Sequence, residues 1–421
     1  LADAPKRVLI LGAGFAGLNA AKTLGNRASV DVTLLDRQNH HLFQPLLYQV
    51  AMAALSPADI AAPIRHILSR YRNIRVLQGR AQSLDIATRM LNADIGPLAY
   101  DYAIIACGAG HAYFGHDDWE PYAPGLKSLP QATEIRTRVL SAFETAERLA
   151  DREEQMKWLT FAIVGGGPTG VELAGAIGEM SRYTLARDFR NIDPRRTRVV
   201  LIEAGPRILP VFTPQSAARA VRDLESLGVQ VSVSSKVTDI GPDGVMMGST
   251  HLAAKTVLWA AGVRASAIGA TLGTPRDPAG RVIVESDLSL PNHPEVFVTG
   301  DLAHARDGRT GELLPGVAQV ALQAGMHAAR MILGDLENRP RRAFHYVDKG
   351  QLATIGRSRA VCEIGRARFS GRLAWWLWLV VHIYALTGFR NRLSVFVQWA
   401  WSFFTFARGA RLIVPRDWRE A

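Results

Sequence analysis

Short, unbroken apolar runs organise this chain. Val8 to Leu11 is four consecutive apolar residues, too short for a helix and without polar alternation, which is the pattern of a strand buried on both faces. The run breaks into Gly12-Ala13-Gly14-Phe15-Ala16-Gly17 and reopens as a helix, Leu18 to Leu24. A second strand, Val30 to Leu35, ends in Asp36. The pattern then recurs: Thr160 to Val164, a loop with Gly165, Gly167 and Gly170, a helix carrying Glu172, and a strand, Arg198 to Ile202, ending in Glu203.

Each glycine answers a separate physical need. Gly12 would make the tight turn, Gly14 would let a pyrophosphate approach bare backbone, and Gly17 would let the helix lie close on the strand. The helix N-terminus offers free N–H groups and partial positive charge to the phosphates. Asp36 stands where a carboxylate can accept both hydroxyls of an adenosine ribose. The second copy repeats the arrangement, so two dinucleotides facing each other are expected. Glu203 predicts NADH over NADPH, with Arg207 as the nearby cation that could instead meet a 2′-phosphate. The acid follows the last glycine by 19 residues in the first copy and by 33 in the second. The surplus, Tyr183 to Arg196, reads as a longer helix end and loop.

Between and after these motifs the pattern is coarser. Asn39 to Val50, broken by Pro45, is where the chain must pass the isoalloxazine if the first fold holds a flavin dinucleotide. No cysteine occurs in 37–60, which excludes dithiol relay chemistry there. Asn73 to Leu84 and Tyr100 to Ala106 are expected as strands of the first sheet, the latter leading to Gly108, a second place for backbone to approach the cofactor. Pro121 to Pro130 reads as a linker and Gln131 to Arg152 as a helix. Ala254 to Gly262 should close the second domain, Glu295 to Asp301 should return to the first, and Val317 to Leu333 should be a helix.

At 421 residues, 48% hydrophobic and 21% charged, the chain is long enough for two or three folded domains. Its basic excess is clustered: residues 366–421 hold nine Arg and, as acids, only Asp417 and Glu420, which is +7 of the total +11. Those arginines flank two apolar segments, Leu373 to Leu386 and Leu393 to Ala407, carrying Trp375, Trp376, Trp378, Trp399 and Trp401 with Phe403, Phe404 and Phe406. Such residues favour the headgroup layer of a membrane. Nucleic acid also accepts aromatics among arginines, but here they lie inside continuous apolar runs, so no nucleic-acid partner is expected. The segments, 14 and 15 residues long, would reach only about 21 to 23 Å as helices, short of about 30 Å of hydrocarbon. Joining them would bury Arg390 and Arg392 at mid-membrane, so two short helices on one leaflet are expected.

Cys107 and Cys362 are the only cysteines and indicate neither a disulfide scaffold nor a zinc site. Cys107, after a hydrophobic strand, reads as a small core residue. His111, His116, Asp117 and Asp118 have the residue types of a metal site but lie in a linker loop, and no metal is expected. Leu1 to Lys6 runs straight into the first strand, so no signal peptide is expected.

The double nucleotide motif and the Asn39 to Val50 segment are accompanied by Thr299-Gly300-Asp301, Ala318-Gln319-x-Ala321-x-Gln323, Asp348-Lys349-Gly350-x-x-Ala353-Thr354-Ile355-Gly356 and Leu386-x-Gly388-Phe389-Arg390-Asn391-Arg392-Leu393. Together these resemble the type II NADH dehydrogenases, single-chain NADH:quinone oxidoreductases that do not pump protons, over essentially the whole chain. The resemblance implies an α/β protein with two Rossmann-like domains of the glutathione reductase kind. Residues 1–124 and 266–345 would form a discontinuous FAD-binding domain, 125–265 an NADH-binding domain, and 346–421 a membrane-anchoring and dimerisation region. FAD would be contacted by Gly12, Ala13, Gly14, Phe15, Ala16, Gly17, Asp36, Asn39, His40, Ala81, Gly108, Asp301 and Ala318. NADH would be contacted by Gly165, Gly167, Gly170, Glu203 and Gly262. Glu172 would lie near the flavin, Gln319 and Gln323 at the quinone pocket, and Lys349 near the same pocket.

The expected reaction carries two electrons from NADH through FAD to a quinone. The protein would be a homodimer on the cytoplasmic face of an inner or plasma membrane. Two rivals stand beside this reading. Sulfide:quinone oxidoreductases and other flavin-dependent quinone reductases share the fold, the former using cysteines, and a membrane-docked NADH-sensing flavoprotein would bind NADH without steady electron flow. Plainer roles exist too: Glu172 could simply complement its helix dipole, and Gln319 and Gln323 could form an exposed polar stripe, although Ala318, Ala321 and Ala324 imply close packing. The C-terminal segments could cap a domain or a dimer.

Overall fold

The computed structural model describes residues 4–405 and 409–413. Phe406 and Ala407 of the second apolar segment, Asp417, Glu420 and the first three residues lie outside the described residues. The chain forms two compact units, one of residues 1–42, 62–110 and 263–348, the other of 43–61, 111–262 and 349–421.

In the first unit the Val8 to Leu11 run lies in strand β1 (Lys6–Leu11), followed by helix α1 (Phe15–Leu24) and strand β2 (Val30–Asp36). β1 pairs in parallel with β2 and with Tyr102–Ile105. The full sheet runs Ser289–Leu290, His293–Val298, Tyr102–Ile105, β1, β2, Ile74–Gln78. Val8, Leu9, Ile10 and Leu11 are all buried, as a parallel strand covered on both faces requires. The strand expected over Asn73 to Leu84 is instead two strands. Ile74–Gln78 stays in the sheet, whereas Ala81–Asp85 joins Met90–Ala93 and Gly96–Ala99 in a separate antiparallel meander. The turn between them is fixed by the Arg80 N–H donating to the Asp94 carboxylate at 2.7 Å, a partner that strand periodicity does not reveal.

The second unit repeats the plan with β3 (Thr160–Val164), α2 (Pro168–Glu179), β4 (Arg198–Ile202) and β5 (Thr256–Trp259). Its parallel sheet runs Val229–Ser232, β4, β3, β5. A second meander, Val237–Gly241, Gly244–Met247 and Thr250–Ala253, precedes β5 as the first precedes Tyr102–Ile105. The duplication therefore extends well past the glycine loops. The surplus after α2 holds a π-helical turn, Met180–Thr184, and a 3-10 turn, Pro194–Arg196. The helix expected over Gln131 to Arg152 is Leu129–Arg148, with Arg152–Trp158 as a separate helix capped by Asp151.

The same unit ends in an antiparallel sheet, Gln351–Gly356, Arg359–Ile364 and Ala367–Ser370, and two helices, α3 (Gly371–Ala385) and α4 (Phe389–Thr405). α3 seats Ala374 against Ala360 and Cys362 of the sheet. α4 is tied down by buried Asp59, which accepts from Ser394 Oγ at 2.9 Å and Gln398 Nε2 at 3.1 Å. The Trp399 indole N–H donates to Gln49 Oε1 at 2.7 Å. Among the described residues no helix is long and apolar enough to cross a membrane.

Candidate active site

In the first unit Gly12 turns the chain with φ +95°, and a Cβ there would stand 2.5 Å from the Ala106 carbonyl oxygen. Gly17 faces the Gly12 carbonyl so closely that a Cβ would overlap it, whereas the Cβ position of Gly14 has nothing within 4 Å. This leaves open space in front of the first N–H groups of α1, which is what a pyrophosphate needs. Asp36 closes the cradle: Oδ2 accepts from the Ala13 N–H at 2.6 Å and Oδ1 from the Gln38 N–H at 2.7 Å.

The other side of the Ala13 peptide is held by a residue that sequence reasoning missed. His41 is buried, its Nδ1 lies 2.8 Å from the Ala13 carbonyl, and desolvation lowers its pKa to about 4. A carbonyl only accepts, so the neutral ring carries its proton on Nδ1. His40, named above among the FAD contacts, places Nδ1 3.0 Å from Asn39 Oδ1. Two adjacent histidines carry no signal in the sequence for which is buried; in the strand His40–Leu42 only His41 is.

Around this cradle the structure gathers several of the expected residues. Phe15 meets His41 edge-on at 5.3 Å. The Cβ position of Gly300 lies 3.3 Å from Ala321 Cβ and 3.7 Å from Ala16 Cβ. That of Gly316 lies 3.4 Å from Asp301 Oδ1, so Asp301 stands beside the turn entering the helix Ala318–Leu336. Gly325 of that helix abuts the Ala16 carbonyl, with no room for a side chain. Gly108 has φ +64° and an open side. The Asn39 backbone carbonyl accepts from the Ile64 N–H at 2.9 Å, and Ala81 opens the meander, paired with Ala93.

The second cradle matches the first atom for atom where it matters. A Cβ on Gly165 would stand 2.5 Å from the Ala260 carbonyl carbon, Gly170 is pressed on the Gly165 carbonyl, and Gly167 is open. Glu203 Oε2 accepts from the Gly166 N–H at 2.6 Å and Oε1 from the Gly205 N–H at 2.6 Å. Each acid thus binds the amide just after the first glycine and the amide two residues beyond itself. The Arg207 guanidinium is turned to the Pro210 carbonyl at 2.8 Å. Gly262 follows β5, two residues beyond Ala260.

Glu172 sits near the start of α2, where desolvation pushes its carboxyl well above the usual carboxylate range although the Thr354 N–H donates to it. One turn on, Gly175 is pressed against the Ile355 carbonyl, with no room for a Cβ. That close approach of α2 to Gln351–Gly356 removes water from Glu172 and favours its neutral form. Gln319 and Gln323 share one face of the Ala318–Leu336 helix, both half-buried, with Ala321 and Ala324 buried beside them. The Gln323 amide is engaged at both ends by Val347: Nε2 donates to its carbonyl at 3.0 Å and Oε1 accepts from its N–H at 3.0 Å. Lys349 is exposed ahead of Gln351–Gly356. Cys107 contacts the Leu11 carbonyl, and burial pushes its thiol up to about 12, away from the reactive thiolate. His111 meets Gln131 Oε1 at 3.2 Å while His116 stacks on Trp119 at 4.1 Å.

Two glycine cradles, each closed by a strand-end acid, define an oxidoreductase fold built for two dinucleotides. The Pyridine nucleotide-disulphide oxidoreductase family matches residues 6–325, and the NDH2 C-terminal domain matches 349–408. The type II NADH:quinone oxidoreductase NdhA of Mycobacterium tuberculosis is 43% identical over 97% of this chain and 90% of its own length. Ndh of the same organism, also described as a type II NADH:quinone oxidoreductase, is 42% identical over 98% of this chain and 91% of its own. The structure of NDH2 from Plasmodium falciparum in complex with NADH has the same fold, with a TM-score of 0.88 at 20% identity, covering 97% of this chain and all of that one. This chain belongs to the type II NADH:quinone oxidoreductase family.

Proposed function

We propose that this protein carries two electrons from NADH through FAD to a membrane quinone without moving protons across the membrane. The observation that carries the reading is the matched pair of cradles, Asp36 on the Ala13 amide and Glu203 on the Gly166 amide. The first fits FAD: Gly14 leaves space for the pyrophosphate, Asp36 has lone pairs left for a ribose, and His41 fixes the Ala13 peptide between them. FAD, when bound, supplies acceptance of hydride and delivery of electrons to quinone. The chain binds, orients and excludes water. Gly165 to Gly170 and the N-terminus of α2 hold the NADH pyrophosphate, and Glu203 holds its adenosine ribose. Gln319 meets the quinone, and Gln323 shapes the pocket by fixing Val347. Quinone reduction consumes protons, and Glu172, favoured in its neutral form, holds one.

The membrane-facing elements are α3 and α4. Leu373, Trp376, Val380 and Tyr384 on α3, and Phe389, Leu393, Phe396, Trp401 and Phe404 on α4, are all exposed. We place them in the headgroup layer of the cytoplasmic leaflet, with quinone arriving from the lipid and a second copy completing a homodimer. The test of function is spectral: NADH should bleach the flavin band and quinone should restore it with sustained turnover. Bleaching without turnover would indicate the sensor instead. Bleaching by sulfide would indicate a sulfide oxidoreductase, which Cys107 and the cysteine-free 37–60 segment disfavour. Anchoring is tested by replacing Trp376, Trp401 and Phe404 together with Ser: the variant should leave liposomes while still reducing ferricyanide, and unchanged sedimentation with liposomes would refute this anchor.

A further inference from the structure

The aromatic cluster beside β5 holds one ring unlike the rest. Tyr113, Trp119 and Trp259 are only 3%, 4% and 3% exposed. Tyr113 stacks on Trp259 at 4.9 Å and donates its hydroxyl to the Ala123 carbonyl at 2.8 Å, while the Trp259 indole N–H donates to the Ala112 carbonyl at 3.0 Å. The indole bond and the stacked ring hold residues 112 and 113 against β5, and the Tyr113 hydroxyl ties the same turn to Ala123. Phe114 comes next, 71% exposed and with φ +54°. A left-handed phenylalanine is costly, and such backbone strain concentrates at ligand clamps. The ring edge lies over Gly262, where a Cβ would stand 2.6 Å from Phe114 Cζ. Gly262 is two residues past Ala260, against which Gly165 turns. Phe114 therefore stands at the carboxyl ends of β3 and β5, beside the first glycine of the NADH cradle.

Sheet order decides which half of the nucleotide reaches it. Glu203 follows β4, on one side of β3, and anchors the adenosine ribose there; β5 lies on the other side of β3. A dinucleotide held at Glu203, with its pyrophosphate over Gly165 to Gly167, must send its other half past the end of β5. We propose that Phe114 is a nicotinamide-side contact, its exposed ring lying against the nicotinamide riboside of NADH. A side chain at 262 would displace that ring and crowd the Ala112 carbonyl, 3.0 Å from the same Cβ position. The inference rests on the NADH reading above and sharpens it.

Phe114→Gly removes the ring and also relieves the left-handed backbone, so loss of folding is not built into the test; Phe114→Tyr keeps a stacking face. ADP-ribose, with the adenosine and pyrophosphate but no nicotinamide, is the control ligand. Calorimetry on the FAD-loaded protein gives Kd for NAD⁺ and for ADP-ribose. Phe114→Gly should weaken NAD⁺ by about five- to tenfold, leave ADP-ribose unchanged, and be reversed by Phe114→Tyr. NAD⁺ affinity that is unchanged, or that falls together with ADP-ribose affinity, overturns the contact. If the native protein binds neither ligand, the NADH reading itself fails, so the two failures are distinguishable.

Discussion

Nucleotide choice should rest on Glu203. Both of its carboxylate oxygens accept a backbone N–H at 2.6 Å, so the charge is fixed in place rather than swinging in solvent. NADPH would bring a 2′-phosphate of charge about −1.5 to −2 to that carboxylate. At about 4 Å, each unit of charge costs about 1 kcal/mol in bulk water and about 4 kcal/mol at an effective dielectric of 20. Glu203 is half-buried, so the repulsion lies between these limits, and its lower end already gives at least about tenfold preference for NADH. Arg207 keeps its charge, but its guanidinium points to the Pro210 carbonyl, whereas the Glu203 carboxylate is fixed at the strand end by two backbone N–H groups. Glu203→Gln removes the charge but puts an NH2 against one of the two amides, leaving a donor unsatisfied at a cost of about 1 to 3 kcal/mol. The variant should therefore lose affinity for NADH and also lose most of its discrimination. The assay is kcat/KM for both nucleotides in native and variant protein. Equal values in the native protein, or a ratio untouched by the substitution, would refute the role assigned to this carboxylate.

Gln319→Ala should slow flavin reoxidation by quinone by about five- to thirtyfold, the worth of one lost hydrogen bond, while flavin reduction by NADH stays near native in stopped flow; slowing of reduction alone would move Gln319 to the nucleotide site. His41 has a folded-state pKa of about 4 against an ordinary 6.5, so its contribution is fully present above about pH 6.5 and is lost as pH falls through about 4, a swing of about 3 kcal/mol at most. His41→Asn keeps a donor for the Ala13 carbonyl without the titration, and should flatten the acid branch of a Tm-against-pH curve; an unchanged branch refutes the assignment. Glu172 has the opposite sign: its raised folded pKa means stability that is present below about 4.5 and lost as pH rises through the raised value. Glu172→Gln should lessen the decline of Tm on the alkaline side and slow quinone reduction, and a variant that behaves as native in both would exclude Glu172 as the proton holder.

The parts of the site legible in the sequence are those whose geometry is set by near neighbours. A strand, a glycine turn and a helix start fix where Gly14 and Gly167 open, and the next strand end fixes Asp36 and Glu203. What escaped depends on approaches between distant segments. Thr354 reaches Glu172 only because Gly175 lets α2 press on Ile355, and neither glycine nor threonine announces such a meeting. The Gln323 amide looks available on a helix face until the chain at Val347 returns to occupy it. His40 and His41 differ only in which side of a three-residue strand they take, a choice made by the Ala13 carbonyl. The break after Gln78 is of the same kind, since Asp94 decides where the chain turns.

The C-terminal helices show one residue type divided between two environments. In the sequence their five tryptophans look alike. In the structure Trp378 is 2% exposed, stacked on His382 at 4.4 Å and near Trp399 at 5.0 Å, whereas Trp376 and Trp401 are 50% and 66% exposed. Burial holds the His382 ring at a pKa of about 4, so this ring is neutral among the tryptophans that seat the helices. The outer residues 373, 376, 380 and 384 recur every three or four positions, which on a helix is one stripe, and the exposed residues 389, 393, 397, 401 and 404 do the same on α4. A soluble monomer rarely leaves so much contiguous apolar surface in water. Because the two layers use different residues, the proposed anchoring is separable from folding. Removing α3 whole would strip Ala374 and Trp378 from the protein and confound the two, whereas changing only the outer stripe leaves the inner seat, and the nucleotide cradles, untouched.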